Sequence, residues 1–216
     1  MLDAVLFDLW GTLARSVQTP GPMQVLAQAL GIADDRDWKR RLERGMMLAP
    51  AAGIAGALRQ LELHAGLRVV DEAARQRVLA RWGEAEADVQ LFDDVLPALA
   101  ALRPRYRLGL CSNTQSFGLE FLARTGVWGQ LDAAALSFEV GAVKPHPVMF
   151  ATLCARLGVA PDRTLMVGDD PVADIGGARA AGLQALRIDR DGAGLATEEA
   201  IGSLAELRDR IAGFRS

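Results

Sequence analysis

Four short stretches carry the residues that could do chemistry. Asp8 ends an apolar run, Ala4-Val5-Leu6-Phe7, and is followed by Gly11-Thr12-Leu13, which can turn the backbone around a bound anion. A carboxylate delivered in this way can act as a nucleophile and form a covalent acyl intermediate. Val167-Gly168-Asp169-Asp170-Pro171-Val172-Ala173-Asp174 puts two or three carboxylates at a strand end leading into a helix. A hard divalent cation such as Mg²⁺ takes one or two carboxylates and fills its other positions with water and phosphate oxygen. Helix capping by Asp170 or Asp174 is the plainer explanation, but it accounts for one aspartate and not for this density beside a glycine. Ser112-Asn113-Thr114 offers hydroxyl and amide donors that can hold phosphate or carboxylate oxygens; taken alone it reads equally as a polar turn. Lys144 lies in Gly141-Ala142-Val143-Lys144-Pro145-His146-Pro147, where two prolines stiffen the loop. Of 24 basic residues only Lys39 and Lys144 are lysines. A chain that so prefers arginine keeps a lysine where a compact ammonium is needed, and at Lys144 it would neutralise charge on a nucleophilic Asp and its substrate.

These groups can share a site only if the elements before them end at one edge. The opening strand pattern, from Ala4, is an apolar run that breaks at Gly11 and stops after Leu13. Val17-Gln18-Thr19-Pro20-Gly21-Pro22 is a linker rich in helix breakers. From about Met23 to Glu86 the chain reads as successive amphipathic helices without a convincing strand. Turns fall near Gly31-Ile32-Ala33-Asp34, Ala49-Pro50 and Leu67-Arg68-Val69-Val70. From Asp93 the rhythm becomes β/α. Helix 96–102, strand 106–111, helix 117–125 and strand 133–138 come first. Helix 147–157, strand 164–167, helix 172–181 capped by Gly182, strand 184–188 and helix 197–212 follow. Such alternation implies a parallel, doubly wound sheet, an α/β fold, with the helical block inserted after its first strand. Asp8, Ser112 and Asp169 then stand just past strand ends along one edge, where open sheets bind ligands.

Composition bounds the function. At 216 residues the chain suits one domain carrying an insertion. Half its residues are hydrophobic but only 6% are aromatic, so the expected core is Leu, Ala and Val. A net charge of −3 without a long like-charge block argues against a nucleic-acid groove or a membrane-surface patch. No apolar run approaches the roughly 18–20 residues of a membrane span. The N-terminus enters the first strand without a basic leader, which reads as a cytoplasmic protein. Cys111 and Cys154 are too few for a disulfide framework or a zinc site and read as small buried hydrophobes.

In sequence order, FDLWGTL, CSNT, the lysine of GAVKPHPVMF and VGDDPVADIGGARAAG resemble the four motifs of the haloacid dehalogenase-like (HAD) hydrolase superfamily. The match in order and spacing covers nearly the whole chain. The resemblance implies a Rossmann-like core over residues 1–15 and 93–216, with residues 16–92 as an all-helical cap. It implies Asp8 as nucleophile and Ser112 and Lys144 as binders of substrate and intermediate. Asp169 and Asp174 fall at the metal end of the site, and a Mg²⁺ ion there would also take the backbone carbonyl of Trp10. Trp10, Gly11, Thr12 and Asn113 complete the expected substrate-binding set, and the partner is a small molecule, either a phosphate ester or a small organic acid.

One departure matters. In phosphatases resembling this chain the residue two after the nucleophile is usually a second aspartate, the general acid/base; here it is Trp10, whose indole N–H is a donor only. Loss of such a group typically costs about 10²–10⁴-fold in rate. One reading is a Mg²⁺-dependent phosphatase whose acid comes from elsewhere, with His64 or Glu84 as candidates, or whose leaving group needs little protonation. The other is a 2-haloacid dehalogenase. Those enzymes carry an aromatic residue at this position and displace halide without proton or metal, but they usually have serine and asparagine in place of Asp169 and Asp170. Arg15, Arg40, Arg41 or Arg44 could serve halide there, although Arg36 to Arg44, interleaved with Asp37 and Glu43, reads as a solvated helix face. A third reading, from another class, is a phosphate-binding protein that keeps the fold without turnover.

Overall fold

The computed structural model describes residues 1–192 and 200–213. The chain opens with β1 (Ala4–Phe7) and β2 (Ala14–Ser16). Four helices follow, α1 (Pro22–Ala29), α2 (Trp38–Met46), α3 (Gly53–Ala65) and α4 (Glu72–Ala87). Next come β3 (Val89–Leu91), α5 (Val95–Leu102), β4 (Arg107–Ser112), α6 (Glu120–Arg124), β5 (Ala133–Leu136), α7 (Ser137–Val140) and α8 (Pro147–Leu157). The last part holds β6 (Thr164–Gly168), a π-helical turn over Pro171–Gly176 that runs into α9 (Gly177–Ala180), and β7 (Gln184–Ile188). β8 (Ala200–Ile201), a 3₁₀ turn over Leu204–Glu206 and α10 (Leu207–Gly213) close it.

Six strands form a parallel sheet in the order β5-β4-β1-β6-β7-β8, the Rossmann-like α/β arrangement. The first strand is therefore central. Its residues alternate between two layers: Val5 and Phe7 join one hydrophobic cluster with α5 and α10, while Ala4 and Leu6 join another with α8 and α9. That is why β1 is apolar at every position, as a strand covered on both faces must be. Phe7 pairs with Leu110 on one side and Val167 on the other, so Asp8, Ser112 and Asp169 emerge at the same edge. Helices α1–α4 pack around a third cluster that includes Leu26, Leu42, Met46, Leu61, Val78 and Trp82 and reaches Val143 and Phe117. β2 and β3, on either side of this block, pair antiparallel, a ribbon that the sequence reading lacked.

Several expected boundaries shift for identifiable reasons. The opening strand ends at Phe7 rather than running toward Leu13, because Gly11 turns the chain at φ +83°. β5 stops at Leu136 instead of Phe138. The buried Ser137 hydroxyl turns there to accept from the Thr114 amide and donate to the Thr114 carbonyl, both at 3.0 Å. Helix α6 starts at Glu120, not Phe117, since Gly118 adopts φ +70°. The helix expected over 197–212 is replaced at Ala200–Ile201 by β8, and its first residues, 197–199, lie outside the described residues. Ser203 and Glu206 form a capping box, and α10 follows from Leu207.

A polar network secures the loop after β1. Arg190 Nε and Nη2 donate to the Thr12 carbonyl at 3.2 and 2.7 Å, and its Nη1 donates to Asp94 Oδ2 at 2.5 Å. The same carboxylate oxygen accepts from Ser203 Oγ at 2.6 Å and Leu204 N–H at 2.8 Å. The guanidinium also lies 4.1 Å from the Phe92 ring centre. Burial pushes the Asp94 carboxyl pKa up, but the Arg190, Ser203 and Leu204 donors outweigh it and hold it below its usual value. An unfolded Asp94 therefore takes up its proton first as pH falls. The stabilisation is present above pH 3.8 and lost as pH drops through the lower folded pKa. Asp94→Asn should lose on the order of 3 kcal/mol at pH 7, with the gap to wild type closing below pH about 4 in urea-unfolding curves.

Candidate active site

At the C-terminal edge of the sheet the Lys144 ammonium is buried among three acceptors. It donates to Asp8 Oδ1 at 2.5 Å, Asp174 Oδ1 at 2.6 Å and the Cys111 carbonyl at 2.8 Å. Burial by itself favours a neutral amine, but Asp174 and Asp8 outweigh it and hold the Lys144 pKa well above its usual value. Asp8, at the end of β1, is raised by burial; Lys144 opposes the rise and Asp169 adds to it. Asp174, in the π-helical turn, is pushed up to about 6 by burial, against Lys144 and with Asp8. Burial pushes the Cys111 thiol up to about 12, so it remains a neutral, small apolar group at neutral pH.

Each of these side chains has an identifiable holder. Asn113, directly after β4, accepts from the Lys144 N–H at 2.7 Å through Oδ1 and donates through Nδ2 to the Lys144 carbonyl at 3.2 Å. This pair clamps the lysine loop to the strand end. Asp170 caps the π-helical turn by accepting from the N–H groups of Val172 and Ala173, both at 2.8 Å. Burial raises its pKa, but those two N–H groups, with Lys39 and Arg40, bring it below the usual value. The capping explanation thus holds for Asp170, and Asp174 takes part in it as well, its Oδ2 accepting from the Asp170 N–H at 3.0 Å while its Oδ1 faces Lys144. Gly11 admits Asp169: a Cβ there would stand 2.6 Å from Asp169 Oδ2.

Asp8, Asp169 and Asp174 each offer a carboxylate oxygen, and these atoms lie within 4.8 Å of one another. Two of the three carboxylates, Asp8 and Asp174, pair with one buried ammonium, and the half-exposed Lys39, 4.0 Å from Asp170, is the next cation. Hard oxygen donors in excess of positive charge suit Mg²⁺ in both type and balance.

A cavity of about 300 Å³ opens over this cluster. The core contributes Asp8, Trp10, Gly11, Asn113, Lys144, Asp169 and Asp174 to its wall. Ser112 and Thr12 are fully buried and are not among its lining residues. Trp10 Nε1 donates to Thr114 Oγ1 at 3.2 Å and the ring packs on Phe121, so the indole joins the loops after β1 and β4 while presenting a face to the cavity. The helical block supplies Met23, Lys39, Glu43, Met47, Trp82 and Glu86.

Glu43 and Lys39 were missed by the sequence reading. The stretch Arg36 to Arg44 reads as a solvated face, and Arg40 and Arg41 do pair outward with Asp37 and Asp35. Glu43 is instead only 7% exposed and accepts from Asn113 Nδ2 at 3.0 Å. The available signal was the other lysine of an arginine-rich chain, four residues before Glu43 and so on the same helix face. His64 and Glu84 are exposed and do not line the cavity. Of the arginines considered for halide, Arg15 lines it, whereas Arg44 lines a separate hollow beside His146.

The fold, a parallel sheet with a carboxylate cluster at its C-terminal edge, is that of a hydrolase family. The family model for haloacid dehalogenase-like hydrolases matches residues 2–182, and the chain belongs to that family. The ribulose-1,5-bisphosphate 5-phosphatase of Halopiger xanaduensis is 30% identical over 98% of this chain and 100% of its own length. Among solved structures, a HAD phosphatase from Thermococcus onnurineus superposes with a TM-score of 0.65 at 28% identity, covering all of both chains. A 2-haloacid dehalogenase from Pseudomonas syringae superposes with a TM-score of 0.66 at 22% identity, over 99% of this chain and 100% of its own.

Replacing Lys144 removes the only counter-charge within hydrogen-bonding distance of two buried carboxylates among the described residues. Lys144→Met should cost about 3–5 kcal/mol in metal-free urea unfolding. Lys144→Arg should not restore the loss, because a planar fork cannot address three convergent acceptors.

Proposed function

We propose that this chain is a Mg²⁺-dependent phosphatase that acts on a small phosphorylated metabolite through an aspartyl-phosphate on Asp8. The observation that carries the reading is the set of three converging carboxylates, Asp8, Asp169 and Asp174, beside one ammonium. Halide displacement needs no such cation site, whereas a phosphoryl group with two or more negative oxygens does. The full-length likeness to a phosphatase supports the same choice.

Asp8, Asp169 and the Trp10 carbonyl would hold the ion, with Asp174 as supporting ligand. When bound, Mg²⁺ neutralises phosphoryl oxygens and aligns them for in-line attack. The Asp8 oxygen not bound to Lys144 attacks phosphorus, a new P–O bond forms, and the ester P–O bond breaks with its electron pair leaving on the alcohol oxygen. Lys144 has all three N–H groups committed to protein acceptors, so its work is to orient Asp8 and keep it ionised. Water then attacks the phosphoaspartate and returns Asp8 as carboxylate. The helical block, residues 16–92, acts as a cap: it closes the cavity, excludes bulk water and selects the substrate. Its Met23, Met47 and Trp82 surfaces suit an organic part that is compact and largely apolar.

The deciding assay is phosphate release from p-nitrophenyl phosphate with Mg²⁺ or with EDTA, alongside chloride release from 2-chloropropionate. Expected are Mg²⁺-dependent phosphate release, its abolition by EDTA, and a loss of about 10⁴-fold or more in Asp8→Asn. Chloride release indifferent to EDTA would replace this reading with a dehalogenase, and ligand binding without turnover on either substrate would replace it with a binding role.

A further inference from the structure

Trp10 leaves the phosphatase reading without a proton for the departing alcohol. Two glutamates of the helical block line the cavity, the exposed Glu86 and Glu43, and the buried Glu43 is the one held against the sheet edge and placed to give it. It sits on α2 and lines the cavity together with Asp8 and Trp10. Its Oε2 accepts from Asn113 Nδ2, while Oε1 makes no hydrogen bond among the described residues. A buried carboxyl with one oxygen fixed and the other uncommitted is held in place without being used up.

On the basis of that geometry, and resting on the phosphatase reading above, we propose that Glu43 is the general acid/base of the reaction, supplied by the helical block in place of the residue lost at Trp10. Its environment suits the task. Burial raises its pKa and so favours the protonated form; Lys39 on the same helix, Asn113 and Lys144 oppose the rise, and Asp170 adds to it. In the first step Asp8 bonds to phosphorus, the P–O bond to the alcohol breaks, and the Glu43 proton goes to the departing oxygen. In the second, the Glu43 carboxylate takes a proton from the attacking water as the Asp8–phosphorus bond breaks. Inorganic phosphate and a re-protonated Glu43 result, so the protons balance over the cycle. The position explains the helix as well: Lys39 and Glu43, four residues apart, place one cation and one acid over the carboxylate cluster while Arg40 and Arg41 turn to solvent.

The test uses two phosphate esters with Mg²⁺ that differ in how much they need a proton: p-nitrophenyl phosphate, whose phenolate leaves readily, and an alkyl phosphate such as butyl phosphate. Glu43→Gln keeps an oxygen to accept from Asn113 but carries no transferable proton. It should lower kcat/KM for the alkyl ester by about 10²-fold or more and for the nitrophenyl ester by a clearly smaller factor. An equal loss on both esters, or none on either, would overturn the assignment and leave Glu43 as a structural tie to Asn113. The wild type gives a second measurement independent of whether the variant folds. With a proton delivered, its kcat/KM should change little across phenyl phosphates of graded leaving-group acidity, and a steep dependence would overturn the assignment. If the wild type releases phosphate from none of these esters, the phosphatase reading itself fails, which these outcomes keep distinct from a failure of Glu43 alone.

Discussion

A lysine ammonium shut away from water between two aspartates is the constraint on which the rest of this structure depends. Lys144 is 3% exposed and Asp174 1%. Stripping water from such charges costs several kcal/mol per ion, and only close, well-directed partners offset it. The three acceptors must therefore be held in register, and the fold supplies the means. Asp8 and the Cys111 carbonyl come from the ends of adjacent parallel strands, while Asp174 comes from the turn after a third. Asn113 grips the lysine's own peptide groups from both sides. An error of one residue in the register of β1 would turn Asp8 into the core and deprive the ammonium of one of its two carboxylates.

The same edge joins the sheet to the helices. Asn113 serves both, since the amide that donates to the Lys144 carbonyl also donates to Glu43 on α2. A displacement of α2 is therefore felt at the lysine loop through one side chain. Trp10 has a comparable double position, its indole N–H fixed to Thr114 and a ring face left to the cavity. Where a carboxyl would have added a fourth negative group to an already crowded cluster, an indole adds bulk and one donor.

Much of this is legible in the amino-acid sequence. β1 could be read because burial on both faces demands an unbroken apolar run, and Asp8 because a charge at the end of such a run has little other reason to be there. Helix α8 and strand β7 matched their expected bounds, each set off by Pro or Gly. The ribbon of β2 and β3 was not legible: three residues on each side, paired across more than seventy positions, leave no periodicity to detect. β8, two residues long, failed for the same reason. Glu43 was hidden by its neighbours, because a helix turn rich in charge looks solvated whichever residue faces inward. Only tertiary packing shows that Arg40 and Arg41 point away while Glu43 points in. Ser112 is the converse case. Its place at a strand end was foreseeable, but the strand's alternation turns the hydroxyl beneath the cavity and gives the wall to Asn113.

The arginine that braces the loop after β1 belongs to residue 190, 178 positions beyond the Thr12 carbonyl it holds. Synthesis reaches Asp8 first and this brace long afterwards. While a chain is being made, Asp8 and its turn exist for most of that time without the guanidinium, without the hydroxyl of Ser203 and without the sheet strands that carry Asp169 into place. The surroundings of Asp8 are thus completed by the latest-made part of the fold, so a partly synthesised chain cannot hold the finished carboxylate cluster.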